Sequence, residues 1–240
     1  MYLCQLALNP LSRAVQRDLC DAYQMHRTLS RAWGSEDEFK AARVLFRVEE
    51  RRDGSPIILA QSKVAPDWAQ MPSKYLCERA QVKEWNPTLR EGQSLAFRLR
   101  ANPTVKRDGQ RWGLYEEREQ RRWLARKAQM HGFELLTRVF LDREGNEEEL
   151  PDVSLRPEGE VESGPGRTRE VVQFRRVATR FPPREGEGQS HEAWKRAAFC
   201  AARFDGVLCV TDVQAFQSAL ECGIGSGKSV GFGLLSIARA

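Results

Sequence analysis

Apolar and polar positions alternate over residues 2–8, Tyr-Leu-Cys-Gln-Leu-Ala-Leu, and Asn9-Pro10 closes the run. That pattern predicts a strand. Leu19, Ala22, Met25, Leu29 and Trp33 then recur at spacings of three and four. One amphipathic helix is expected over 12–33, with these residues on its buried face. Two short apolar runs, 44–49 and 57–61, flank Arg51-Arg52-Asp53-Gly54, and the Asp-Gly pair predicts a hairpin. Residues 68–82 are irregular, with some helical character.

The pattern restarts after Asn86-Pro87-Thr88. Residues 95–101 alternate Leu, Phe and Leu with Arg98 and Arg100, a half-buried strand. Residues 116–131 spell a highly charged helix that ends at Gly132. The segments 197–204 and 207–211 flank Asp205-Gly206 and are expected to pair as a second hairpin. A short helix follows over 212–221 and a closing strand over 234–238. Residues 133–141 and 171–181 are strand-like, whereas 142–170 is acidic and rich in Gly and Pro, which marks a mobile insertion. Both halves thus spell β-α-β-β-α-β, with the second helix of the first half the weakest element. The expectation is an α+β chain of two tandem ferredoxin-like domains, residues 1–88 and 89–240.

Hydrophobic residues make up 41% of the 240, with 11 Phe and 6 Trp, enough for real cores and against wholesale disorder. The 38 basic and 33 acidic residues leave a net charge of +5, which permits a nucleic-acid partner without demanding one. Cys4, Cys20, Cys77, Cys200, Cys209 and Cys222 form no Cys-x-x-Cys pair, so no metal site is expected. They fit reduced thiols in a cytoplasmic protein. No run approaches the roughly 18 apolar residues of a membrane span. The N-terminus lacks the basic leader and cleavage pattern of a signal peptide.

Gly223, Gly225, Gly227, Gly231 and Gly233 crowd eleven residues, with Lys228 and Ser229 among them. A Walker phosphate loop ending in Gly227-Lys228-Ser229 would need its first glycine at Cys222 and a strand before it, where a helix is expected. A dinucleotide fingerprint fails in every register, because its third glycine lands on Lys228, Val230 or Ser236. Two readings stay open: a plain turn between helix and strand, or a backbone that approaches phosphate closely with Lys228 adding charge.

This run resembles the C-terminal glycine-rich loop of the repeat-associated RNA-binding proteins of CRISPR systems. Gly223-Ile224-Gly225 with Gly231-Phe232-Gly233-Leu234-Leu235 is similar to that of the CasE-type CRISPR repeat endoribonucleases. The resemblance extends through 6–13, 23–29 and 97–103 and covers most of the chain except the acidic insertion. It implies two ferredoxin-like domains and cleavage of precursor CRISPR RNA in its repeat hairpin, without metal or cofactor. It also implies that the crRNA is retained and that other Cascade subunits are partners. Gly223, Gly225, Gly227, Lys228 and Ser229 would then bind RNA.

The histidines are His26, His131 and His191. His131 beside Gly132 suits a helix C-terminus, and His191 lies in polar sequence. Tyr23, His26 and Arg27 share one sector at the edge of a helical apolar face. Taken alone, His26 fits a half-buried ring bonded to backbone as well as a catalytic group. The resemblance makes Tyr23-x-x-His26-Arg27 the catalytic segment: His26 for proton transfer, Tyr23 to orient or deprotonate the 2′-OH, Arg27 to hold phosphate. The products would carry a 2′,3′-cyclic phosphate and a 5′-OH.

Arg98, Arg100, Lys106, Arg107 and Arg111 gather on a strand and the segment after it, and Arg175, Arg176 and Arg180 on another strand-like stretch. Basic residues so placed can follow the phosphates of an RNA stem, largely by shape. Arg118, Arg121, Arg122 and Arg126 are interleaved with glutamates, and a solvated face is expected there. The contrasting class is a non-catalytic RNA-binding subunit of a CRISPR ribonucleoprotein complex, in which a Tyr23-x-x-His26 pair has no purpose.

Overall fold

The computed structural model describes residues 1–142, 144–158, 160–162, 174–181 and 195–240. Its first strand, β1 (Tyr2–Ala7), buries Cys4 and Leu6 as the alternation requires. The single helix expected over 12–33 is broken. Helix α1 (Arg13–Cys20) ends at Asp21, α2 (Ala22–Ser30) starts from it, and a 3-10 turn, Arg31–Trp33, follows. Asp21 has extended backbone, φ −138° and ψ 106°, and its carboxylate accepts the Tyr23 N–H. A short acidic side chain that bonds its own backbone competes with helix continuation in this way. The break turns Leu19 outward, 42% exposed, and buries Asp18 instead. Asp18 is satisfied by the Tyr75 hydroxyl at 2.8 Å and the Arg17 guanidinium at 2.7 Å; leaving such a carboxylate unpaired costs about 3–5 kcal/mol.

Ser35 and Glu38 close a reciprocal capping box on α3 (Glu36–Ala42), an element absent from the sequence expectation. Strands β2 (Leu45–Glu50) and β3 (Pro56–Ser62) join through Asp53-Gly54, with Gly54 at φ +79°. Between β3 and β4 (Gln81–Glu84) only a 3-10 turn, Trp68–Gln70, stands where the weak second helix was expected. The four strands run antiparallel in the order β2-β3-β1-β4. Leu6, Leu8, Val15, Met25, Leu29 and Phe46 form the core between sheet and helices.

The second pattern opens on β5 (Ser94–Ala101), whose Leu95, Phe97, Leu99 and Ala101 are all buried. A two-stranded hairpin follows, β6 (Thr104–Arg107) and β7 (Gln110–Gly113), then α4 (Glu117–Met130) and β8 (Phe133–Leu135). Strands β9 (Thr137–Leu141) and β10 (Glu147–Pro151) pair with each other, and β11 (Ser154–Pro157) joins the main sheet. The expected insertion over 142–170 is therefore corrected: its first part supplies β10 and β11, because Leu150 and Val153 have a core to enter. Its stretch 163–170 lies outside the described residues. Next come β12 (Glu160–Glu162), β13 (Phe174–Phe181) and β14 (Lys195–Cys200).

Strand β15 (Ala202–Val210) runs straight through Asp205-Gly206, so the hairpin expected there does not form. Gly206 lacks a side chain for packing: a Cβ would lie 2.9 Å from Val153, a strand-interior use of glycine. Asp205 faces Arg98 across the ladder and pairs with it. Helix α5 (Val213–Cys222), capped by Asp212, and β16 (Leu235–Arg239) complete the chain. The main sheet has the order β16-β5-β15, with β8 and β11 pairing different stretches of β15.

The chain divides into two compact units. The first takes Met1–Asn86, the described parts of Ala178–Ala198, and Lys228–Gly231; the second takes the rest from Pro87. The first unit is thus built from three stretches of chain, unlike the continuous 1–88 expected from the sequence. The fold is mixed α+β. Among the described residues, no helix is long and apolar enough to cross a membrane.

Candidate functional site

One residue, Asp21, separates α1 from α2 and caps α2, so this cap sets the direction of α2. Tyr23 and His26 lie one turn apart on it, ring centroids 6.4 Å apart and planes inclined by 27°. The half-buried His26 ring meets Phe39 of α3 edge-on at 5.0 Å. Its Nδ1 is buried and has no hydrogen-bond partner among the described residues, so the backbone bond that a purely structural ring would make there is absent. Buried polar atoms are usually paired, so an unpaired one calls for an explanation, of which a catalytic role is one. Burial holds the imidazole pKa below its ordinary 6.5, with the Glu36 carboxylate pulling the other way. The ring is therefore neutral at neutral pH and able to accept a proton. Arg27 is exposed on the same helix. Phe39 and Glu36, which flank the ring, were not among the residues singled out from the sequence. The Ser35-x-x-Glu38 capping box was the signal that could have revealed their helix.

The 3-10 turn Lys228–Val230 belongs to the same unit and packs against α2 and β2. Lys228 is half-buried there and Ser229 exposed. Gly223, Gly225 and Gly227 belong to the second unit, and each has a local reason to lack a side chain. Gly223 ends α5 at φ +72° and donates its N–H to the Ala219 carbonyl. A Cβ on Gly225 would lie 3.1 Å from the Trp123 ring, and one on Gly227 2.9 Å from Phe232. A left-handed φ at Gly223 and close packing at Gly225 and Gly227 each favour glycine at these positions. Gly225→Val, at φ +85°, is accordingly expected to destabilise the protein by about 1–3 kcal/mol, read as a fall in the melting temperature.

The basic hairpin stands in the second unit. Its turn, Asp108-Gly109, has φ +49° and +79°, as a tight two-residue hairpin turn requires. Lys106 lies directly opposite Arg111, Arg107 opposite Gln110, and Val105 opposite Trp112. Lys106, Arg107 and Arg111 are exposed and make no ion pair among the described residues. Trp112 is 56% exposed beside them. Like charges facing each other weaken a ladder, so this arrangement does not serve the hairpin's own stability.

Arg98 and Arg100, grouped with these residues from the sequence, are already engaged. Arg98 pairs with Asp205, and Arg100 pairs with Glu158 at 2.6 Å and lies over the Phe232 ring. The solvated face expected on α4 holds for Arg122 and Arg126, which are exposed, and is corrected for the buried Arg121 and the half-buried Arg118. Arg121 is 3% exposed and donates to the Pro151 and Val153 carbonyls, while Arg118 and Arg122 both pair with Glu148. These arginines fasten the β10 segment to α4. Arg175 and Arg176 fall on β13, opposite Val161 and Glu160 of β12; their side chains, with that of Arg180, lie outside the described residues. So does His191. His131 ends α4, as expected. Among the described residues, no group of three His, Cys, Asp or Glu side chains stands together as a metal site would need.

The sequence profile of the family described as "CRISPR associated protein" matches residues 1–239. The chain is 36% identical to the CRISPR-associated endoribonuclease Cse3 of Thermus thermophilus, over 99% of this chain and 100% of that one. It is 30% identical to the CRISPR system Cascade subunit CasE of Escherichia coli, over 99% of both. Among solved structures, it is similar to Cse3 bound to a 19-nucleotide RNA, with a TM-score of 0.73, 32% identity and full coverage of both chains. A Thermus thermophilus Cse3 bound to an RNA representing a pre-cleavage complex gives a TM-score of 0.72 at 31% identity, over 99% of this chain and 98% of that one.

Proposed function

The chain belongs to the CRISPR-associated protein family, among its Cse3/CasE-type members, and from that premise we propose that it is a metal-independent endoribonuclease. Its substrate is precursor CRISPR RNA, cut within the repeat hairpin, and it keeps the mature crRNA as a subunit of a Cascade assembly. The observation that carries this reading is the Tyr23–His26 pair on α2, with a neutral imidazole whose buried Nδ1 has no partner among the described residues. The strand orders β4-β1-β3-β2 and β16-β5-β15-β8 support two tandem ferredoxin-like units.

The reaction needs a proton taken from the 2′-OH, charge stabilised on phosphorus oxygens and a proton given to the departing 5′-oxygen. His26, neutral through burial, takes the 2′-OH proton, and Tyr23 holds that hydroxyl in line with the phosphorus. The 2′-oxygen bonds to phosphorus, the P–O5′ bond breaks, and the 5′-oxygen gains a proton from solvent. Arg27 and Lys228 supply the cationic contacts to the phosphate. The products are a 2′,3′-cyclic phosphate and a 5′-OH.

The test is a labelled repeat hairpin incubated with the protein in EDTA, with the ends of the products identified. Cleavage to a cyclic phosphate supports the proposal. A strict Mg²⁺ requirement refutes it, and tight binding without cleavage places the chain in the non-catalytic class. The pH profile follows from the sign of the His26 shift. Its folded pKa lies below 6.5, so the base form persists as pH falls past 6.5. The acid limb of the single-turnover rate is expected below pH 6.5; a limb above it would contradict His26 as the base. Lys228→Ala is expected to weaken RNA binding and to lower the salt slope of the affinity by nearly one unit. An unchanged slope would leave the loop a structural turn.

A further inference from the structure

The N-terminus of α2 is held from a distant part of the chain. The Tyr23 N–H donates both to the Asp21 carboxylate, at 2.9 Å, and to Thr179 Oγ1, at 3.2 Å. The Thr179 hydroxyl in turn donates to the same Asp21 oxygen. Thr179 is 4% exposed, lies on β13, and belongs to the same unit as α2 although 156 residues separate it from Tyr23. The three groups close a ring of hydrogen bonds around the one residue, Asp21, at which the chain changes direction between α1 and α2.

A single carboxylate is enough to cap a helix. The added hydroxyl fixes the carboxylate itself, and with it the angle at which α2 leaves α1. Tyr23 is in the first turn and His26 in the next, so a small tilt at this point displaces both rings together. We propose that Thr179 is a positioning residue for the Tyr23–His26 pair, acting through Asp21 and the Tyr23 amide; the claim rests on the catalytic role assigned to that pair above.

Thr179→Val keeps the shape and removes the hydroxyl, while Asp21 still caps the helix, so the variant folds. A displacement near 1 Å costs up to about 10²-fold in rate, and a partial loosening is expected to cost about 10-fold. The expected result is that single-turnover cleavage of a repeat hairpin falls by this factor in Thr179→Val while RNA affinity stays as in the wild type. Thr179→Ser, which restores the hydroxyl, recovers most of the rate. A wild-type rate in the valine variant overturns the proposal. So does an affinity loss as large as the rate loss, or a serine variant no better than valine. If the wild-type chain itself does not cleave, the nuclease reading fails, and hydrogen exchange at the Tyr23 amide decides the positioning claim. Faster exchange in the valine variant but not in the serine variant supports it; equal exchange in all three overturns it.

Discussion

His26→Ala is expected to abolish cleavage of a repeat hairpin while leaving its binding nearly intact. The ring is half-buried on α2, in its neutral form, with Tyr23 one turn away and Phe39 against it edge-on. Placed general bases contribute about 10²–10⁴ in rate, so the loss should be far outside assay error. The imidazole carries no charge at neutral pH, and phosphate attraction therefore does not depend on it. In the proposed function the affinity comes from Arg27, Lys228 and the second unit's cations, none of which the substitution alters. His26→Gln guards against a packing artefact, because it fills much of the same space beside Phe39 without a titratable nitrogen. Both variants should be inactive at matched melting temperatures. Measurable wild-type turnover in either one would remove His26 from the chemistry.

The grouping of Tyr23 with His26 on one helix was legible in the sequence because the two sit in one short segment. Tyr23, His26 and Arg27 lie within five positions, and a helical period suffices to put them on one side. The sequence did not reveal that the helix breaks at Asp21. A period of three to four continues through the break, from Leu19 to Met25, and only the competition between an aspartate side chain and the helical backbone interrupts it. Helix α3 is seven residues long, too short for a period, although its capping box is spelled out by Ser35 and Glu38. Phe39 and Glu36 were lost with it. Thr179 has no local signal at all, since its partner is 156 positions away. The second Asp-Gly misled for a related reason: Asp205 is bound by Arg98 and Gly206 is pressed against Val153. Tertiary packing thus uses in mid-strand the same two residues that make a hairpin turn at Asp53-Gly54.

Replacing Lys106, Arg107 and Arg111 together by alanine is expected to lower affinity for a repeat hairpin steeply and to flatten its salt dependence. The three are exposed on β6–β7 without ion pairs among the described residues, and Lys106 faces Arg111 directly. Removing that repulsion should leave the hairpin's own stability unchanged or slightly raised, by about 0.2–1 kcal/mol, so a binding loss cannot be blamed on unfolding. Every cation withdrawn from a phosphate of the RNA stem reduces the slope of log affinity against log salt by a little under one unit. Three such cations predict a fall of about two to three units. The same surface should distinguish forms of the RNA. An A-form stem presents phosphates at fixed spacing that a rigid two-stranded ribbon can match, whereas a single strand must be ordered at entropic cost. An intact hairpin should therefore outcompete the same sequence with a disrupted stem, and compensatory base changes that rebuild the stem should restore most of the binding. In the triple alanine variant that preference should shrink along with the slope. If the variant keeps the wild-type preference while losing only overall affinity, the hairpin supplies non-specific attraction and the stem is read elsewhere on the protein.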